Sequence, residues 1–376
     1  MAAGVFGMVG SEMLAASMLT GIGSELGVSD GLAGQTVTAT AAVAMLVSLI
    51  APSAGSRIDK RVIVIFCGLL LTVSNAIAAA AANYYWMLAG RFALGVAIGG
   101  FWAISAAVTV RLVPDRMAPR ALSVVFSGIA AASVLAPSLG AYLGDQIGWR
   151  NVFWGAAALA GFCTLSQFLT LPKLPQRTAA RLSTIATVLR RPGIAIGIMS
   201  ATGVYIVHVA FQTYLRPMME SGPGANSENV SLAFLVLGVG GMMGTLLSSV
   251  LMERSLRLTL TFMPVILGAM GLLLTLSPNG SAQQVVVVLV WGCAYGAVPV
   301  AWSLWLTRTV PDQRETASAI FVAAVQVAIA VGAGAGGLVF DIWGGTAMYV
   351  TGGLLVVGFS AGVFRTTSAA PAQRIA

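Results

Sequence analysis

The stretch VIVIFCGLLLTVSNAIAAAAA, residues 62–82, runs without a single charged side chain. A helix rises ~1.5 Å per residue and the hydrocarbon core of a bilayer is ~30 Å thick, so about 20 apolar residues span it. Inside lipid a backbone satisfies its own hydrogen bonds only as a helix or a closed barrel. The stretch lacks the period-2 alternation of barrel strands, so it reads as a transmembrane helix. Working outward, similar apolar runs fall at 2–22, 32–54, 86–110, 121–144, 151–171, 193–215, 229–252, 258–277, 284–307, 317–340 and 347–364. Together these twelve runs predict an all-α polytopic membrane protein.

Composition agrees. Of 376 residues, 58% are hydrophobic and 9% charged, where a soluble domain carries roughly a quarter charged. The net charge of +8 does not imply a nucleic-acid partner, because the basic residues sit in short loops. Loops on one side hold Arg57, Lys60, Arg61, Arg111, Arg116, Arg120, Lys173, Arg177, Arg181, Arg190, Arg191, Arg254, Arg257, Arg308 and Arg314, joined by Arg365 and Arg374 in the tail. The other side holds only Arg150 and Arg216, and Arg91 is left inside a run. This 17-to-2 split places both termini in the cytoplasm by the positive-inside rule. Cys67, Cys163 and Cys293 all lie within apolar runs and form no disulfide or metal framework. The first run has no basic segment ahead of it and carries Glu12, so it reads as a membrane helix rather than a signal peptide. Its abrupt start implies a missing cytoplasmic lead.

The longest polar interval, 172–192, reads as a cytoplasmic linker in which residues 181–190 can form a short surface helix. It divides a six-helix half, 1–171, from a second, 193–364, followed by a tail, 365–376. An internal repeat supports the division. Arg111-Leu-Val-Pro-Asp115 returns as Arg308-Thr-Val-Pro-Asp312, 197 positions later, and the same offset places Gly95 on Gly292 and Gly99 on Gly296. Asp145 and Asp341 correspond at an offset of 196. Parallel halves of this kind are a transporter architecture, with a substrate site near the midplane between them.

Several motifs resemble the major facilitator superfamily and, within it, the twelve-helix proton-antiporter branch. Gly55-Ser-Arg-Ile-Asp59-Lys60-Arg61 stands where that family has its loop motif between helices 2 and 3, without the usual second glycine. Arg91-Phe-Ala-Leu-Gly95 is similar to the helix 4 motif, and Ala136-Pro137-x-x-Gly140 to the antiporter motif of helix 5, with Ala where Gly is usual. Gly148-Trp-Arg-Asn-Val-Phe153 resembles the entry to helix 6. A closer resemblance, to bacterial purine ribonucleoside efflux pumps, is carried by Gly99-Gly-Phe-Trp-Ala-Ile-Ser105, Arg190-Arg-Pro-Gly193, Thr213-Tyr-Leu-Arg-Pro217 and Val298-Pro-Val-Ala-Trp-Ser-Leu-Trp-Leu-Thr-Arg308. The resemblance implies a major facilitator fold in the bacterial inner membrane. It further implies export of inosine, guanosine and related nucleosides by alternating access, with protons entering and no cofactor. The expected partners are the nucleoside, the proton and the lipid bilayer, and the expected state is a monomer.

Glu12 is the one carboxylate placed well inside a span. A charge at the bilayer centre costs about 2.5–3.5 kcal/mol on insertion scales, and protonation removes much of that cost. Glu12 is therefore the proton-coupling candidate, and the resembling pumps have a Glu at the matching place. The alternative is a structural Glu, neutralised by a hydrogen bond or paired with Arg91. Arg91 keeps its proton and must face a carboxylate, carbonyls or water, either tuning Glu12 or clamping helices 1 and 4. Substrate-binding candidates are Trp102, Tyr205, His208, Gln212, Trp302 and Gln326. Aromatic rings stack on a purine and an amide offers both donor and acceptor, but the same residues suit ordinary helix packing. Trp305 reads as an interfacial anchor. Gly55, Asp59, Lys60 and Arg61 form the candidate gate, with Asp59 pairing with Arg groups and helix ends. No phosphate-binding loop, metal cluster or nucleophile motif is present in the sequence, so it reads as no enzyme. Multidrug efflux, sugar efflux and a non-transporting membrane sensor remain alternatives.

Overall fold

The computed structural model describes residues 1–54, 58–114, 117–174, 185–224, 226–310, 312 and 314–368. Its helices are α1 (Ala2–Ser17), α2 (Leu19–Leu26), α3 (Asp30–Ala54), α4 (Lys60–Ala79), α5 (Tyr84–Arg111), α6 (Ala118–Ile147), α7 (Trp149–Thr170), α8 (Ile185–Leu189), α9 (Ile194–Thr213), α10 (Leu215–Glu220), α11 (Ser227–Leu274), α12 (Ala282–Thr309) and α13 (Arg314–Ser368).

Nine of these are long and apolar enough to cross a membrane, and the bent pair α1 and α2, which meet at 63°, supplies a tenth span. Two helices are twice the needed length. The 48 residues of α11 break at Ser255, where the backbone is extended, and the 55 residues of α13 break at Gly344. The φ of 80° at Gly344 is a left-handed conformation that glycine adopts without a Cβ clash. Counting each broken helix as two gives twelve passes among the described residues, and both breaks fall between expected runs. Helix α8 lies inside the expected linker, of which residues 175–184 are outside the described region.

Side chains fix several helix starts. Asp59, Asn83, Asn226 and Ser281 each accept a backbone N–H from the first turn of α4, α5, α11 and α12. Such caps satisfy donors that the helix leaves unpaired. The motif at 148–153 has a physical reason as well. Gly148 takes φ 82° between α6 and α7. Trp149 Nε1 then donates to Glu25 at 2.6 Å, while Arg150 pairs with Glu25 and donates to the Ala81 carbonyl at 2.7 Å.

In the first half, α5 packs on α3 and α4, α1 on α6, and α4 on α7. In the second, α12 packs on α11 and α13 on α9. The repeat is visible as contact geometry. A methyl group at Gly95 would meet the Thr40 carbonyl and one at Gly292 the Leu237 carbonyl. One at Gly99 would meet the Ala44 carbonyl and one at Gly296 the Gly241 carbonyl. Every partner in these pairs is also 197 positions from its counterpart. The glycines let two backbones touch, as small residues do where membrane helices pack. Across the halves, α3 meets α13 and α6 meets α11.

Candidate functional site

The hydrogen bonds joining the two halves gather from mid-depth toward the end carrying Glu25, Arg150 and Arg216, away from the basic loops. Arg216 Nη2 donates to Asp145 at 2.6 Å and Nη1 to the Ser17 carbonyl at 3.1 Å, both in the first half. Asp341 reaches the other way, accepting from Ser29 Oγ at 2.6 Å and Gly31 N at 2.9 Å. Gln35 Nε2 donates to the Gly334 carbonyl at 3.2 Å, and Ser231 Oγ to the Ser138 carbonyl at 2.9 Å. The repeat-related Asp145 and Asp341 thus both close the same end. Arg216 stands out in the sequence only as a loop charge.

Just inside this closure lies a cavity of about 80 Å³, lined by Glu12, Met13, Ala16, Val37, Tyr205, Val209, Gln212, Thr213, Tyr295, Val325 and Ile329. That is room for several ordered waters. Three expected residues meet here: Glu12 from α1, with Tyr205 and Gln212 from α9. Glu12 Oε1 is buried and makes no hydrogen bond among the described residues. Gln212 Nε2 approaches Met13 Sδ across the halves at 3.7 Å. Tyr295 of α12 completes the wall and was missed. Its spacing of four from Trp291 and seven from Trp302 marks one helix face, a pattern equally suited to plain core packing.

Arg91 is fully buried on α5. Its Nη1 donates to the Ser11 carbonyl at 3.0 Å, and its guanidinium lies 4.7 Å over the Phe153 ring. The expected Glu12–Arg91 pair is therefore not an ion pair among the described residues. Arg91 holds the backbone beside Glu12 instead, and its Nε and Nη2 are buried and make no hydrogen bond among the described residues. Asn75 of α4 supports the same turn of α1, donating to Ser11 Oγ at 2.9 Å.

The remaining substrate candidates do not line this cavity. His208 is 2% exposed, and its Nδ1 accepts from Trp291 Nε1 at 3.2 Å. Trp302 is 1% exposed, packed with Tyr205 and edge-on to Trp305 at 5.4 Å. Trp102 packs partly buried against the core of the first half. Gln326 is half-buried on α13, beside the lining residue Val325. Burial follows from the direction each helix face takes, which the identity of an aromatic residue does not reveal.

At the gate, Gly55 lies outside the described residues. Among the described residues Asp59 forms no ion pair with an arginine: its carboxylate accepts from the N–H groups of Arg61 at 2.8 Å and Leu174 at 2.9 Å. Lys60 N donates to the Leu174 carbonyl at 3.1 Å, and Arg61 donates to the Phe168 carbonyl at 2.6 Å. These bonds tie the start of α4 to the last turn of α7 and the segment after it, within the first half rather than between the halves. In the second half, Arg191 forms a two-pronged pair with Asp312 at 2.5 and 2.6 Å.

Two six-helix halves meeting around a mostly apolar cavity that carries a few polar groups mark a membrane transporter. The chain belongs to the Major Facilitator Superfamily, whose family model matches residues 1–333. It is 40% identical over 346 residues to the purine ribonucleoside efflux pump NepI of Escherichia coli O6:K15:H31 (strain 536 / UPEC), covering 92% of this chain and 87% of that one. Identity to the pump of the same name from Escherichia coli K12 is 39% over the same length. Among solved structures, the nucleoside transporter NupG (D323A mutant) superposes with a TM-score of 0.74 at 16% identity, covering 97% of this chain and 98% of that one. A D-xylose-proton symporter gives 0.73 at 16% identity over 96% and 98%. At that identity these two likenesses speak for the fold alone.

Proposed function

We propose that this transporter exports purine ribonucleosides such as inosine and guanosine, each exchanged for inward-moving protons, by alternating access. The observation that carries the reading is Glu12, a carboxylate on a cavity shared by both halves, with an oxygen that makes no hydrogen bond among the described residues. A group that can drop its charge there is suited to proton coupling. The opposite wall, from the second half, offers phenol rings and an amide, which suit a base that stacks and hydrogen-bonds. The names of the relatives support the nucleoside. In this reading the protein is an inner-membrane monomer with both termini cytoplasmic and the proton gradient as its energy source. The closed end then faces outward by the positive-inside rule.

The test is uptake of radiolabelled inosine into inside-out vesicles with an acidified interior. Wild type should accumulate inosine in a proton-dependent way, and Glu12→Gln should not. No inosine uptake by wild type, alongside accumulation of lipophilic drug cations, would replace the nucleoside reading with multidrug efflux.

A further inference from the structure

Trp291 and Tyr295 stand one turn apart on α12 and hold His208 of α9 between them. The His208 ring lies flat on Tyr295, with centroids 3.2 Å apart and planes 6° apart. Against Trp291 it is edge-on at 5.9 Å, and the indole N–H donates to its Nδ1. An imidazole that accepts at Nδ1 carries its single proton on Nε2, because both nitrogens of an imidazolium are donors. Trp291 is fully buried and His208 nearly so, whereas Tyr295 faces the cavity. Tyr205 meets the Tyr295 ring edge-on at 5.8 Å and is braced in turn by Phe321 at 6.0 Å. The result is a rigid aromatic corner with Gln212 beside it and Glu12 opposite, on the other half.

We infer that Tyr295 is a cargo-contacting residue, that the Tyr205–Tyr295 corner receives the planar base, and that neutral His208, locked by Trp291, is the positioning residue that sets the Tyr295 ring. The inference rests on the nucleoside reading above. His208 in this assignment orients the base site and takes no part in proton transfer. Selectivity for the base over the sugar then depends on a residue that never touches cargo. A fixed ring discriminates because little rotamer freedom is lost on binding.

The experiment measures inosine transport in proteoliposomes, with competition by hypoxanthine and by ribose, for wild type, Tyr295→Leu, His208→Ala and His208→Phe. Tyr295→Leu should raise the KM for inosine about tenfold or more. His208→Ala should raise it about fivefold and weaken competition by hypoxanthine, with proton dependence retained. His208→Phe, which keeps a flat ring for stacking, should recover most of the affinity. A merely structural histidine would lower Vmax for every competitor alike and leave the inhibition ratio unchanged, which would overturn the assignment. Unchanged KM in Tyr295→Leu would do the same while leaving nucleoside export standing. Wild type that transports no nucleoside would remove both.

Discussion

Arg216, on α10 of the second half, donates at 2.6 Å to Asp145 at the end of α6 in the first, and the same guanidinium holds the Ser17 carbonyl. Arg216 is nearly buried, while Asp145 is about a third exposed. Losing one partner of a deeply buried pair costs ~3–5 kcal/mol. Exposure on the aspartate side reduces this to about 1–2 kcal/mol, roughly a 5- to 30-fold change in an equilibrium. Arg216→Ala should shift the transporter toward the state open at this end. Labelling of a cysteine placed beside Ser17 should rise by that factor. Arg216→Lys, which keeps a donor for Asp145 but loses the fork shared with the Ser17 carbonyl and Glu220, should restore only part of the closure.

Arg91→Lys tests whether charge alone suffices at the turn of α1 beside Glu12. Lysine retains the charge but loses the planar group over Phe153. A desolvated cation–π contact contributes about 2 kcal/mol, so Arg91→Lys should melt several degrees earlier in detergent, and net transport should fall as the turn beside Glu12 loosens. Transport at the wild-type rate would reduce Arg91 to a generic buried cation.

Energy coupling has its own signature. A neutral nucleoside exchanged for one proton moves net charge, and the potential contributes ~2.3 kcal/mol per 100 mV. At 1.4 kcal/mol per tenfold, this sustains a gradient of roughly 40-fold. Collapsing the potential at zero pH gradient should slow net inosine export. Export indifferent to the potential would exclude this stoichiometry.

The Arg191–Asp312 pair lies outside the spans and sets a pH expectation. Hydrogen bonds from Arg191 hold the Asp312 carboxyl at about 2, below the usual range. A depressed value in the folded state means the contribution is present above the ordinary carboxylate range and is lost as pH falls through about 2. The stability difference between wild type and Asp312→Asn should therefore be small and flat from pH 8 to 5, then shrink below about pH 4. A difference that grew on acidification would contradict the assignment.

The backbone glycines give a paired prediction. Gly99→Ala and Gly296→Ala each force a methyl group onto a carbonyl of the neighbouring helix, and overpacking costs about 1–3 kcal/mol. Both variants should melt earlier in detergent. Gly155→Ala, where nothing lies within 4 Å of the added methyl, is the control and should not.

The span pattern was legible because apolar length and the placement of arginines are properties of the chain itself. Residues 229–252 and 258–277 flank the Ser255 break with no loop between them, yet Arg254 and Arg257 still marked the turn. The site was only partly legible. Glu12 stood out because a lone carboxylate in lipid demands a reason. Tyr205 and Gln212 reached the cavity, whereas Trp302, equally aromatic, turned into the core. Tyr295 went unnoticed among many aromatics. Rotation of a helix that is apolar all round leaves no trace in its composition, so the choice among these faces needed packing partners.

The carbonyl contacts of Gly99 and Gly296 bear on ancestry. If the halves descend from one duplicated segment, most positions have since drifted apart. Agreement survives where a single extra carbon would separate two helices, at Gly95 and Gly99 against Gly292 and Gly296. The likeness of the two halves is kept where backbones touch, at these glycines, and at the charged turns 111–115 and 308–312; the proposed coupling residue Glu12 and the proposed aromatic corner, one on each half, lie outside these shared positions.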